Sequence, residues 1–297
     1  MPPATALVEP APAKVNLTLR VIGRRPDGYH DLESLVAFAR IGDSLDFTPG
    51  GALALEVRGP FAAAAGAPAG NLVLKAARAL ERLVDGLVLG RFALVKELPV
   101  AAGLGGGSAD AAAALRLIAR ANGLACDDAR VMAAARATGA DVPVCVDPRP
   151  RVMGGIGEVL SSPFDLPPLP AVLVNPGVPL ATKDVFAAFA AAPAAPAPDV
   201  DPNAMQGVSA AAALAALAGG ANDLEPAAIS LCPPVADVLA ALNATPGCRL
   251  ARMSGSGATC FGLYQSEQAA EAAAHALGGV QPQWWIRATV LGGYDSK

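Results

Sequence analysis

Residues 99–111 read PVAAGLGGGSADA, and four of the five positions from Gly103 to Gly107 are glycine, Leu104 being the exception. A strand-like run, RFALVKELP, leads into this stretch, and an alanine-rich run follows it from Ser108. A glycine-rich turn feeding a helix presents unpaired N–H groups at the positive end of the helix dipole, and such an end binds phosphate without a side-chain cation. Four glycines in five positions exceed what a tight strand-to-helix turn requires, because glycine is needed only where the backbone takes positive φ or a ligand comes close. The stretch is not a P-loop, since that pattern sets a lysine beside its last glycine and here Ser108 stands there. A dinucleotide-binding fingerprint fits poorly as well, because no acid on a following strand supplies the ribose contact. The stretch therefore reads as an anion cradle whose chemistry is completed from elsewhere in the chain. Ser108 could cap the helix or turn its hydroxyl to a phosphate or Mg2+, and Asp110 falls in the first turn.

Working outward, PAKVNL at residues 12–17 sets Lys14 and Asn16 on one face of a strand-like run, AKVNLTLRVI. They fit either a solvated edge or an ammonium and an amide facing a cleft. PDGYHDL, residues 26–32, gathers a turn, Tyr29 and His30, which could stack on a planar ring and read its polar edge, or simply pack the loop. GADVPVCV, residues 139–146, puts Asp141 past a helix end and before an apolar run expected to be a strand. That carboxylate could be an Asx-type cap or a catalytic base. SGSGATCFG, residues 254–262, is a second small-residue loop, expected between two strands.

Composition bounds the rest. The 297 residues carry a net charge of −4, which argues against a nucleic-acid partner, and no run of Lys or Arg suggests a membrane surface. The N-terminus lacks the pattern of a signal peptide. The most apolar later stretch, 209–221, is shorter than the ~20 residues a membrane span needs. Five scattered cysteines without a C-x-x-C read as reduced thiols of a cytoplasmic protein, and two histidines exclude a zinc site built on several. Hydrophobic periodicity predicts helices over 71–84 (with Asn71 as N-cap), from Ser108 onward, and over the later Ala-rich runs. SLVAFAR and SLDFTP are predicted as short separate strands. The proline-rich stretch 161–170 marks a boundary, giving domains 1–162 and 163–297, while the Ala/Pro segment 190–202 is expected to be a surface loop.

PAKVNL, the glycine stretch with its alanine run, and SGSGATCFG together resemble the GHMP kinases, collinearly from about residue 12 to 292. The PDGYHDL element narrows the resemblance to the branch whose acceptor is a cytidine diphosphate-linked methylerythritol. The resemblance implies an α+β, two-domain fold, with a ribosomal S5 domain 2-like N-terminal domain, a ferredoxin-like C-terminal domain and a cleft between them. It implies transfer of a phosphoryl group from ATP, with Mg2+, to the 2-hydroxyl of that acceptor, on the route to isoprenoid precursors. Lys14 and Asp141 match the family's catalytic positions. Pro99, Val100, Ala101, Ala102, Gly103, Leu104, Gly105, Gly106, Gly107, Ser108 and Ala109 match its ATP loop, with Lys96 and Asn71 near the adenosine. Asn16, Tyr29, His30 and Phe186 match substrate-binding positions, and Ser108 is the guess for the metal. Ala109 stands where many relatives carry a second serine. A monomer or weak homodimer is expected. A GHMP kinase for homoserine or a mevalonate derivative, and a catalytically silent nucleotide binder, are the alternatives.

Overall fold

A computed structural model describes residues 6–191 and 199–293. Its organising element is one strand of 20 residues, β3 (His30–Pro49). The sequence predicts two short strands here, SLVAFAR and SLDFTP. Asp43, between them, is buried, its Oδ1 accepting from the backbone N–H of Glu97 and Leu98 at 2.6 and 2.9 Å. With that carboxylate satisfied inside, the strand runs on.

Its partners explain its length. β1 (Leu7–Asn16) pairs along it, with a register shift between Pro12 and Lys14. β2 (Arg20–Arg24) and the later β6 (Arg151–Gly155) flank its first half. β5 (Gly90–Val95) flanks the second half, and β4 (Ala54–Arg58) adds to β5 in parallel. The predicted run AKVNLTLRVI is thus two strands, β1 and β2, joined through Leu17–Leu19. β7 (Val159–Leu160) pairs with β6. The remaining strands are β8 (Leu169–Asn175), β9 (Cys248–Met253), β10 (Cys260–Tyr264) and β11 (Trp285–Gly292). They extend the sheet in the order β4-β5-β3-β11-β8-β10-β9.

The helices are α1 (Leu72–Glu81), α2 (Gly106–Ala121), α3 (Ala129–Thr138), α4 (Val142–Val146), α5 (Thr182–Ala191), α6 (Ala210–Ala218), α7 (Glu225–Leu231), α8 (Pro234–Ala244) and α9 (Glu267–Val280). α1 to α4 cover the first half of the sheet around Phe38, Phe47, Phe92, Leu80 and Leu115. α5, α7, α8 and α9 bury Val172, Val174, Val238 and Tyr264 in the second. α2 is buried on most sides, and its alanines 111–114 let its backbone lie close to its neighbours. Its Arg116 and Arg120 donate to the carbonyls of Pro10 and Val8 and to the buried Glu9, so they cover an otherwise open stretch of β1.

VPVCV, expected to be a strand, is helix α4. Five apolar residues are too few for periodicity to decide, and Pro143 in the first turn favours helix over ladder. α7 was not predicted. The segment 190–202 lies largely outside the described residues.

Candidate active site

One cleft of about 1020 Å3 collects most of the sequence-predicted residues. Lys14 and Asn16 come from the end of β1. Both are buried, which rules out the solvated-edge reading. Lys14 Nζ donates to Asp141 Oδ2 at 2.9 Å, across 127 residues of chain. Asp141 occupies the N-cap position of α4 but makes no side-chain cap bond, so its carboxylate is available to the lysine and, at 34% side-chain exposure, to the cleft. The cap reading is thereby set aside. Cys145, one turn on, is inert, because burial, with the Asp141 charge adding to it, pushes its thiol up to about 12.

The glycine loop is draped over Lys14. The Lys14 backbone N–H donates to Leu104 O at 2.9 Å. Gly105, left-handed at φ 60, is the N-cap of α2, and a Cβ there would lie 3.2 Å from Lys14 Cβ. Gly103, at φ +76, meets the second small-residue loop, where a Cβ would come within 2.3 Å of Ser254 O. Only glycine fits that approach. Ser254 Oγ donates to Gly103 O at 2.9 Å and accepts from Asn16 N at 3.1 Å, and Thr259 N donates to Ala102 O at 3.2 Å. The two loops and β1 are thereby tied into one unit.

Pro99, Val100, Ala101, Ala102, Gly103, Gly105, Gly106, Gly107 and Ser108 line the cleft, whereas Leu104 and Ala109 point into the core. Ser108 is not the N-cap expected of it. Helix α2 starts at Gly106, which leaves Ser108 in the first turn with its hydroxyl beside the cleft. Asp110 is likewise not an exposed first-turn acid. It is buried, and its Oδ2 accepts from Lys96 Nζ at 2.7 Å, while Asp43 Oδ2 accepts from the same ammonium. Burial pushes Asp110 up to about 8, with Asp43 adding to the effect and Lys96 opposing it. Lys96 itself is raised, since the two carboxylates outweigh its own burial. Asn71 caps α1 by accepting from Val73 N at 2.9 Å, and its amide NH2 end has no partner among the described residues. It lines the cleft beside Leu72 and Val100.

The same cleft is lined by His30 and Phe186, which stack with ring centroids 5.2 Å apart and planes 21° apart, with Phe189 edge-on to His30. Burial, and the Arg24 charge beside it, lower the His30 pKa below its ordinary value, so the imidazole is neutral at pH 7. Tyr29 is 61% exposed at the rim. A stacked ring pair with a neutral imidazole on the cleft wall suits a flat heterocycle with donors and acceptors on its edge.

Sequence reasoning missed several residues in or behind the cleft wall. Thr182 and Ser256 share a hydroxyl hydrogen bond of 2.8 Å facing the cleft. Asn222 holds the second loop through the carbonyls of Met253 and Gly255, each at 2.8 Å. Ser34 accepts from Asn16 Nδ2 at 2.6 Å. Single polar residues in loops and strands carry no pattern from which such roles could be read. Among the described residues no group of three His, Cys, Asp or Glu could hold a metal, and no helix is long and apolar enough to cross a membrane.

The GHMP kinases N terminal domain model matches residues 71–148, and the GHMP kinases C terminal model matches residues 204–282. The chain is 58% identical to a 4-diphosphocytidyl-2-C-methyl-D-erythritol kinase of Rhodopseudomonas palustris, over 97% of this chain and 98% of that one. It is 54% identical to a protein of the same description from Methylorubrum extorquens, over 97% and 99%. Among solved structures it is similar to a 4-(cytidine 5'-diphospho)-2C-methyl-D-erythritol kinase, at 34% identity and TM-score 0.74, over 97% of this chain and all of that one. A homoserine kinase of Cytophaga hutchinsonii, 18% identical at TM-score 0.69 over 97% and 95%, shares the fold.

Proposed function

The chain belongs to the GHMP kinases, in the branch formed with its 4-diphosphocytidyl-2-C-methyl-D-erythritol kinase relatives, and from that premise we propose how its cleft carries out the transfer of phosphate from ATP to the 2-hydroxyl of that acceptor. The observation that carries the reading is the Lys14–Asp141 ion pair, lining the same cleft as the glycine loop and the His30–Phe186 stack.

ATP lies with its phosphates on the amides of residues 103–108 and its adenosine toward Asn71, Leu72 and Val100. The acceptor places its base between Phe186 and Tyr29, with His30 on its polar edge, and its alcohol against Asn16 and Asp141. The hydroxyl oxygen forms a bond to the γ-phosphorus as the bond from that phosphorus to the β–γ bridging oxygen breaks, and ADP leaves. The hydroxyl proton passes to Asp141. A loose transition state asks chiefly for positioning and charge compensation, and a carboxylate suffices for a proton that moves late. Lys14, held by Asp141 on one side and the loop backbone on the other, faces the charge on the transferred group.

Mg2+ fits this site as an ion carried mainly by the nucleotide's phosphates, since the described residues offer no closed carboxylate cage and the Ser108 hydroxyl stands on the loop beside them. When bound, it neutralises phosphate charge. We place the domain boundary at 162/163, supported by the proline-rich run leading into β8. We place the protein in the cytoplasm, supported by five unpaired cysteines.

The test is ADP release from Mg·ATP with 4-diphosphocytidyl-2-C-methyl-D-erythritol, its uridine analogue, mevalonate and homoserine. Turnover confined to the cytidine compound is the expected result. Turnover with mevalonate or homoserine instead would overturn the reading of the His30 end.

A further inference from the structure

Four cations line the cleft: Lys14, Arg24, Lys96 and Lys183. Lys14 is engaged by Asp141, and Lys96 by Asp43 and Asp110. Arg24 and Lys183 make no ion pair or side-chain hydrogen bond among the described residues, although the chain carries 26 acidic residues against 22 basic ones. Both stand beside the ring pair. Arg24 is the cross-strand partner of His30 in the β2–β3 pair, and its charge lowers the imidazole pKa. Lys183 precedes Phe186 by three residues, one turn along α5 on the same side of the helix. Two cations of like sign flanking one ring pair in the cleft of an acidic protein attract an anion there.

We propose that Arg24 and Lys183 form the anion site that grips the diphosphate of the acceptor, between the base at His30–Phe186 and the alcohol at Lys14–Asp141. This rests on the cytidine-diphosphate reading above. The cleft supports it, since the acceptor's diphosphate joins its base to its alcohol and both cations stand on the elements that carry the ring pair, Arg24 opposite His30 and Lys183 one turn before Phe186. The ATP phosphates are taken by the glycine loop, which packs against Lys14. The two cations therefore act in specificity. They favour an acceptor carrying a nucleoside diphosphate over a neutral alcohol of the same size. An arginine forks onto two phosphate oxygens, whereas the lysine is a mobile point charge, so Arg24 carries the larger share.

The experiment compares cytidine, CMP and CDP as ligands of the full chain by calorimetry, alongside turnover. In the unaltered protein CDP is expected to bind at least ~10-fold tighter than cytidine, with the difference shrinking as salt rises. Arg24→Gln with Lys183→Gln is expected to reduce the CDP–cytidine difference to about twofold and to flatten its salt dependence. It is also expected to raise the KM for the acceptor by about 10–100-fold while leaving ATP affinity as it was. Arg24→Lys with Lys183 intact is expected to recover part of the loss. Equal binding of CDP and cytidine by the unaltered protein, or a double glutamine variant that keeps the full preference, overturns the proposal even where turnover with the cytidine substrate upholds the reaction. Failure of that turnover, with CDP still preferred in a salt-dependent way that the variant abolishes, would instead sink the reaction and leave the anion site standing.

Discussion

Asp141 has three features a proton acceptor needs at this site: partial exposure to the cleft, a cation 2.9 Å away, and no cap bond competing for its oxygens. Asp141→Asn keeps the shape and removes the basicity. It should lower kcat by roughly 10²–10⁴-fold with ATP affinity unchanged, as steady-state and nucleotide-binding measurements would show. The ring pair gives a second expectation. Phe186 already has its stacking partner in His30, so Phe186→Ala removes one wall and also frees the imidazole. A rise in acceptor KM equivalent to about 1–3 kcal/mol is expected, with Tyr29→Ala giving less because that ring is 61% exposed. The lowered His30 pKa sets a pH dependence. A neutral imidazole keeps one donor and one acceptor, so acceptor KM should be flat from pH 8 down to about 6.5 and rise below it, where the ring gains a proton. His30→Gln should abolish that rise. At this scale much is legible in the sequence. Lys14 and Asp141 draw notice because an ammonium inside an apolar strand and a carboxylate before an apolar run each ask for a partner. Locally they fit a solvated edge and an Asx-type cap as well, and the family resemblance is what singles them out. Thr182, Ser256 and Asn222 are not legible, because their roles arise from loop-to-loop contacts between ordinary polar residues.

Among the elements, the glycine loop carries its constraint in backbone geometry. Gly103→Ala would force a side chain to positive φ and against Ser254 O at once. The loop must then move off the 254–259 turn. ATP affinity is expected to fall at least ~10-fold and the melting temperature by several degrees, for a strain of about 1–3 kcal/mol. Gly23, at which an added Cβ meets nothing within 4 Å, is the matched control, and its alanine variant should show neither effect. The glycine stretch, the α1 cap at Asn71 and most helices can be read from local pattern. The continuity of β3 and the helical state of VPVCV cannot. The first turns on distant partners, Lys96–Leu98 for Asp43, which local propensity does not encode, and the second on a run too short for periodicity to decide.

Over the whole molecule, the buried trio of Lys96, Asp43 and Asp110 joins β3, the chain after β5 and α2 beside the glycine loop. Its electrostatics predict stability. Asp110 sits at about 8 in the folded protein, above the ordinary carboxylate value of 3.8. Its protonated form is thus the one the fold favours. The stability it contributes is complete below the ordinary value and is lost as pH rises through about 8. The melting temperature should therefore fall as pH rises from about 4 toward 8 and level off above it, and Asp110→Asn should remove that slope. Lys96→Met leaves Asp43 buried without its cation. It should cost about 3–5 kcal/mol in urea unfolding, whereas Asp110→Asn at pH 7 should cost far less.

The place of β11 in the sheet has a consequence for how the protein is made. Residues 285–292 lie between β3 and β8, pairing Leu291 and Gly292 with Ala39 and Phe38 on one side and all of β8 on the other. The strand that bridges the two halves is thus translated more than two hundred residues after β3, some tens of seconds later at ~5–20 residues per second. Until it arrives, the facing edges of β3 and β8 are unpaired templates in a nascent chain. A ribosome stalled before residue 285 would leave that seam open, with the edges of β3 and β8 free to pair with another chain.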